Sequence, residues 1–212
     1  MVCGAAEEAE TLCIKSGASH QKVDEIARDF DHIEIQVKLP MCDLVARTGR
    51  AQQRYEDGYR LVAGCVPFRY KSSDDCVDST SEKIVEVLLI SSPSGPGLLF
   101  PKGGWENDET VEEAAAREAI EEAGVRGDLM DFLGYYEFRS KTHQDEFSPE
   151  GLCKAAMFAL FVKEELQFWP EQSTRDRTWL TVSEALGSLR HAWMRDALEC
   201  FCKWHEKLVG GT

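Results

Sequence analysis

Residues 103–125, GGWENDETVEEAAAREAIEEAGV, pass from a diglycine turn into an alanine-rich stretch that carries an Arg-Glu pair and then a Glu-Glu pair. Thr110 followed by Glu113 makes a capping box, and Ala114, Ala115 and Ala116 are strong helix formers. The spacing predicts a helix that starts near Thr110 and stops at Gly124. Inside it Glu118, Glu121 and Glu122 stand at i, i+3 and i+4, three carboxylates within one turn on one face. Like charges that close repel, and a divalent cation in the gap relieves the repulsion. Hard cations such as Mg2+ take carboxylate, water and phosphate oxygens in preference to nitrogen or sulfur. The cluster therefore predicts metal and phosphate chemistry, against the plainer reading of a charge run as a solvated face.

Arg117 precedes the cluster and Glu109 lies eight residues before Arg117, so an arginine–carboxylate pair is expected to lock the helix onto the loop in front. Gly103 and Gly104 allow that loop its tight backbone. Gly103, five residues, Glu109, seven residues, then Arg117-Glu118-Ala119-Ile120-Glu121-Glu122-Ala123-Gly124-Val125 resembles the Nudix box, G-x5-E-x7-R-E-U-x-E-E-x-G-U, where U is bulky and apolar. Every fixed position matches, with Ala119 small for the first U slot, and a frame this dense outweighs the solvated-face reading. The resemblance implies Mg2+, with Mn2+ as an alternative. It makes Glu118 and Glu122 the main metal ligands, Glu121 a further ligand or the base, and the Gly103 carbonyl an extra ligand. Arg117 would orient the catalytic carboxylates through Glu109, with Gly104 and Gly124 structural. For the fold it implies an α/β/α sandwich with a mixed sheet between helices; the order of elements alone supports only α+β.

The chain has 212 residues, 43% of them hydrophobic, enough for one catalytic domain of ordinary size. No apolar run approaches the roughly 20 residues that cross a bilayer. The N-terminus has neither a secretory apolar core nor the Arg-rich, acid-poor character of a transit peptide, so a cytoplasmic location, or a nuclear one, is expected; family analogy supplies a mitochondrial alternative. Cys3, Cys13, Cys42, Cys65, Cys76, Cys153, Cys200 and Cys202 contain no CxxC pair and read as reduced thiols, not as a zinc site. A net charge of −14 argues against a stable nucleic-acid partner or binding to an anionic membrane, while leaving room for a local basic pocket. Oligomeric state is not encoded in any feature of the sequence.

Residues 1–45 read as an appended extension, with a short helix at 19–30 and an alternating strand at 32–39; residues 46–208 form the catalytic domain and 209–212 a tail. Strands are expected at 60–70, 83–91, 98–100, 133–140, 154–162 and 177–182, the first two separated by a polar loop at 71–82 and SPSGPG forming a turn. Residues 191–208 predict a last helix whose Met194, Leu198, Phe201, Trp204 or His205, and Leu208 share a face.

Substrate choice must come from outside the box. Arg47, Arg50, Arg54, Arg60, Lys102, Arg139, Lys141, Arg175 and Arg177 cluster near the expected rim, and in an acidic chain they predict a small, highly anionic phosphate substrate. The segments RTGRAQQRYEDGYRLVAGCVPFRY, LLFPKGGWENDET, FRSK and WPEQSTRDRTWLTVSEA look like plant Nudix hydrolases of the diphosphoinositol polyphosphate phosphohydrolase type, over about residues 43–207. That resemblance implies hydrolysis of diphosphoinositol polyphosphates and diadenosine polyphosphates. It matches Arg54 and Arg60 to basic residues near the animal members' first strand, and Arg175 and Arg177 to their late basic pair. Val62 replaces a basic residue of those relatives, and SSPSGPG offers no counterpart to their loop arginine. An ADP-ribose or NADH pyrophosphatase would instead need a stacking aromatic, for which Tyr55, Tyr59, Trp105 and Phe138 are candidates. A capped-RNA pyrophosphatase would need a basic path that the net charge disfavours. A binding module that keeps the fold as a sensor would have no use for all three glutamates.

Overall fold

Val62, Ala63, Cys65, Val66 and Phe68 are all buried. An apolar run without alternation marks a strand covered on both faces, and it forms the middle of β2 (Tyr59–Lys71). The computed structural model describes residues 45–47, 49, 51–71, 84–93, 95–140 and 144–210. The expected helix at 19–30, the strand at 32–39, Arg50 and Lys141 fall outside these.

One edge of β2 runs parallel to β7 (Leu152–Glu165), from Arg60 opposite Cys153 to Phe68 opposite Phe161. The other edge is shared between two antiparallel partners. Val62–Gly64 pair with β5 (Lys102–Gly104), and Phe68–Lys71 pair with β3 (Ile84–Ser91). Pro67 falls in the interval between them. Its backbone position has the same parity as Cys65, whose N–H reaches Pro101 O on that edge (3.2 Å), so the missing proline N–H costs no ladder bond there. β1 (Tyr55–Glu56) pairs with β2, β4 (Leu98–Leu99) and β8 (Arg177–Thr181) pair with β3, and β6 (Val125–Arg139) runs antiparallel to β7. Among the described residues these strands form one mixed sheet of eight.

Helices cover both faces. Cys65 lies beneath α1 (Val111–Ala123), where burial and then the charges of Glu122 and Glu118 raise its thiol pKa. Phe68, of opposite parity on the same strand, meets Phe201 of α3 (Ala192–Gly210) with ring centroids 5.1 Å apart. The sandwich order is therefore present, with α2 (Val182–Ser188) following β8. Residues 35–202 form one unit, and the last turns of α3, from Lys203, belong to another. Within the first unit Trp193, Met194, Ala197, Leu198 and Phe201 are buried, which bears out the core face expected from Met194, Leu198 and Phe201.

β6 starts eight residues before the expected Leu133. Gly127, Asp128 and Asp131 break the alternation that marks a strand, and the register with β7 shifts at Arg126/Gly127, Leu129/Phe132 and Phe132/Gly134. Gly127 is needed because a Cβ there would lie 1.9 Å from Phe161 O.

Candidate active site

Helix α1 is set at both ends by local chemistry. At its start the Thr110 hydroxyl accepts from the Glu113 N–H (3.2 Å) and the Glu113 carboxylate accepts from the Thr110 N–H (2.7 Å). At its end Gly124 adopts φ 63°, ψ 38°, the left-handed cap that glycine enters without strain. Ala114, Ala115, Ala119 and Ala123 are fully buried, so small side chains seat α1 close to the sheet. The small residue at position 119 is part of that close seating.

Arg117 is buried and spends its donors on the loop and its neighbours. Nε and Nη2 grip the two oxygens of Glu109 (2.9 and 2.8 Å), Nη2 also reaches Gly104 O (2.8 Å), and Nη1 donates to Glu118 Oε1 (2.8 Å) and Glu121 Oε1 (3.3 Å). Burial works against its charge, but Glu109 and Glu118 outweigh that, and the Arg117 pKa lies above its ordinary value. Glu109 Oε1 accepts in addition from the Glu106 N–H (3.0 Å), and Glu109 O from the Trp105 indole (3.0 Å). The expected lock between helix and loop is thus present in atomic detail.

Glu118, Glu121 and Glu122 are 4–7% exposed although all three are acidic. Burial, followed by the charge of Glu122, pushes the Glu118 pKa up to about 8. Burial also raises Glu121 against the pull of Arg117, and raises Glu122 against Lys102 and Arg175. The Glu118 carboxylate lies against Gly103, where a Cβ would come within 2.1–2.2 Å of it. Glu122 Oε2 accepts from the Lys102 N–H (2.8 Å), and Glu122 Oε1 pairs with Arg175. Glu121 Oε2 accepts from the Arg47 N–H (3.2 Å). Three carboxylates raised together, beside a glycine cradle, fit a hard divalent cation: Glu118 and Glu122 would hold it, with Glu121 next to them. Among the described residues no three acidic, His or Cys side chains converge as a ready-made ligand set; arginine and backbone donors contact the oxygens of Glu118, Glu121 and Glu122.

The expected rim divides. Arg175 reaches the Glu122 carboxylate with its guanidinium, and Lys102 reaches it with its backbone N–H. Arg54 instead donates to Glu106 O, Asn107 O and Glu109 O (2.9–3.2 Å) and lies 4.6 Å over Trp105, bracing the loop. Arg60 donates to Gln53 Oε1 (2.8 Å), and Gln53 Nε2 in turn binds Arg54 O, Leu61 O and Trp105 O. Arg177 closes the far end of α1, donating to Ala123 O, Gly124 O and Leu166 O while stacking 4.3 Å over Trp169. Arg139 pairs with Glu150 (2.7 Å) at an exposed position. Arg47 pairs with Glu106 and Asp108. Sequence reasoning missed Gln53 and Glu171. Glu171 holds Arg175 Nε (2.6 Å) and sends its own N–H to Glu121 O (3.1 Å); its only sequence signal is the i,i+4 spacing to Arg175.

A buried arginine that ties three like charges to a glycine loop, on a helix seated over a mixed sheet, defines a hydrolase of phosphoanhydride bonds. Comparison with known proteins carries the class to a family. Residues 71–201 match the NUDIX domain. The chain is 76% identical over 173 residues to Nudix hydrolase 16, mitochondrial, of Arabidopsis thaliana, covering 81% of this chain and 96% of that protein. It is 55% identical over 169 residues to Nudix hydrolase 13, mitochondrial, of the same plant, covering 77% and 83%. A crystal structure of a C. elegans Ap4A hydrolase binary complex shares the fold, with a TM-score of 0.50, 21% identity, and coverage of 71% of this chain and 98% of that one. The chain belongs to the Nudix hydrolase family and is similar to its plant members.

Proposed function

We propose that this enzyme is a Mg2+-dependent pyrophosphohydrolase of crowded polyanions, namely diphosphoinositol polyphosphates, diadenosine polyphosphates, or both, with Mn2+ able to replace Mg2+. The observation that carries the substrate reading is the Arg175 guanidinium on the Glu122 carboxylate, whose pKa the Lys102 charge also pulls down: in a chain of net charge −14, cationic groups act on this carboxylate. A bound divalent cation would neutralise nonbridging phosphate oxygens and lower the barrier to in-line attack by water. Glu118 and Glu122 would hold it, with the Gly103 carbonyl as a further ligand. Glu121 would serve as a further ligand or as the base that takes the proton of the attacking water. Arg117 positions these groups from behind, through Glu109, and does not touch the substrate. Lys102 and Arg175 would receive the phosphates; Arg54, Arg60 and Arg177, with their guanidinium groups committed to loop and helix-end acceptors, would shape the rim from beneath.

The ADP-ribose or NADH reading retains one supporting feature. Trp105 lies under Arg54 and Phe138 stacks on Trp193 at 4.8 Å, but Tyr55 and the exposed Phe147 form a ring pair at 5.1 Å that a base could join. A binding module is set aside by membership of a hydrolase family. The names of the plant relatives support a mitochondrial location over the cytoplasmic or nuclear one, and we adopt it as part of the proposal. No helix among the described residues is long and apolar enough to cross a membrane.

The test is a parallel assay with Mg2+ of 5-diphosphoinositol pentakisphosphate, diadenosine hexaphosphate, ADP-ribose and NADH, beside Glu122→Gln. We expect kcat/KM to favour the first two, and the variant to lose on the order of 10²–10³ in kcat. A preference for ADP-ribose or NADH would overturn the substrate reading and move attention to Tyr55 and Phe147.

A further inference from the structure

Arg175 differs from Arg54 and Arg177 in what it holds. Their guanidinium groups donate to backbone carbonyls, and Arg117 grips Glu109 with two donors while reaching Glu118 and Glu121 with a third. Arg175 takes a side-chain oxygen of Glu122, keeps Nε on Glu171, and has a long contact from Nη1 to Ser91 O (3.4 Å). Its side chain is 12% exposed and that of Glu122 7%. Of the two Glu122 oxygens Oε2 already accepts from the Lys102 N–H, so a cation that binds through Oε1 competes with the Arg175 guanidinium for that oxygen. Glu171 is anchored in turn. Its N–H donates to Glu121 O at the last turn of α1, and its carbonyl accepts from the Thr174 and Arg175 N–H groups (2.9 and 3.0 Å).

We propose that Arg175 is an exchangeable counter-ion: it holds the Glu122 carboxylate in place before a divalent cation arrives, gives that carboxylate up on loading, and turns the freed edge of its guanidinium to a substrate phosphate while Glu171 keeps it tethered. This deepens the function proposed above and rests on it. Three properties follow from the geometry. The metal-free site stays charge-compensated, because a buried glutamate stripped of its partner would be left as an uncompensated charge. Loading works against the closed pair, so the affinity for metal is lowered by the fraction of molecules in which Glu122 is open. Cation and substrate binding become mutually favourable, since each removes Arg175 from the partner the other needs. Arg175 is thus a positioning residue for the metal and a contact for the substrate, and Glu171 is its pivot.

The experiment is a Mn2+ titration without substrate, read by electron paramagnetic resonance of free Mn2+, on the full chain and on Arg175→Gln, Glu171→Gln and Glu122→Gln, with kcat and KM for 5-diphosphoinositol pentakisphosphate measured in parallel. Arg175→Gln should bind Mn2+ about tenfold tighter, as expected if about one molecule in ten is open, and its KM should rise by about the same factor with a smaller change in kcat. Glu171→Gln should raise KM while binding Mn2+ within about twofold of wild type. If Arg175→Gln binds Mn2+ no more tightly than wild type, or binds it more tightly with an unchanged KM, the exchange is refuted. The Glu122→Gln arm separates this from the underlying reading, because Mn2+ binding undiminished in that variant would sink the metal site itself. A readout free of any variant guards against misfolding: in wild-type protein Mg2+ alone should shift the arginine side-chain NMR signals of Arg175 and leave in place those of Arg177, which donates to backbone carbonyls, and an unmoved Arg175 signal would refute the exchange.

Discussion

Replacing Gly103 by alanine should silence the enzyme while leaving it folded. A Cβ at this position would lie 2.1 Å from Glu118 Oε1 and 2.2 Å from its Cδ and Oε2. An ordinary contact is about 3.5 Å, so the carboxylate must retreat by roughly 1.4 Å. The helix resists moving with it, because lifting α1 would open the close contact made by Ala114, Ala115, Ala119 and Ala123, all fully buried. The displacement therefore falls on the Glu118 side chain, which breaks its 2.8 Å bond to Arg117 and leaves its metal-holding position. A misplacement of about 1 Å at a reacting centre costs on the order of 10² in rate. Overpacking of this kind costs about 1–3 kcal/mol, which for a chain of this size lowers Tm by roughly 2–12 °C. Mg2+-dependent phosphate release and a thermal melt on the same sample separate the two effects. Activity of Gly103→Ala within threefold of wild type would refute the reasoning, and so would a melt that shows the loss to be plain unfolding.

Metal-free stability should fall as pH rises. Glu118 has its folded pKa raised above the unfolded value of 4.5, so the native state holds the extra proton, and its contribution is complete below pH 4.5 and lost as pH climbs through about 8. Melting curves in chelator between pH 5 and 8.5 check this: Tm should decline across the window, and Mg2+ or Glu118→Gln should flatten the decline; a Tm that rises with pH would contradict the burial argument. Glu109→Gln should cost about 2 kcal/mol, since it replaces a buried bidentate carboxylate by an amide with one acceptor oxygen, while Glu118 and Glu121 still compensate the Arg117 charge. Denaturant unfolding measures that loss, and a variant within 1 kcal/mol of wild type would show that Arg117 finds a substitute partner.

What sequence alone can disclose follows the range of the interaction. The limits of α1 were legible because Thr110, Glu113 and Gly124 act within a few residues of themselves, and the lock of Arg117 on Glu109 because a known spacing carries it. The early half of β6 was not, since it is its pairing with β7, through bulges and the close pass of Gly127 over Phe161, that makes Val125–Phe132 a strand. The cations were the hardest. Arg54, Arg175 and Arg177 are chemically identical in a sequence, and only the fold distributes them to loop carbonyls, a catalytic carboxylate and a helix end. Glu171 carried no signal beyond its distance from Arg175, although it joins that arginine to the catalytic helix.

The far end of α1 depends on residues made much later. Arg175 and Arg177 each stand 53 residues beyond the partners they hold, Glu122 and the Gly124 carbonyl. At about 5–20 residues per second of synthesis, roughly 3 to 10 seconds separate their appearance. A nascent chain can thus form the start of the helix on its own capping box, but the carbonyls of Glu121, Ala123 and Gly124 at its last turn wait for the Leu166 and Glu171 N–H groups and then for the Arg177 guanidinium. Catalytic competence is then among the last properties the growing polypeptide acquires, and a chain stopped before residue 171 would carry every residue of the glutamate motif without the scaffold that closes it.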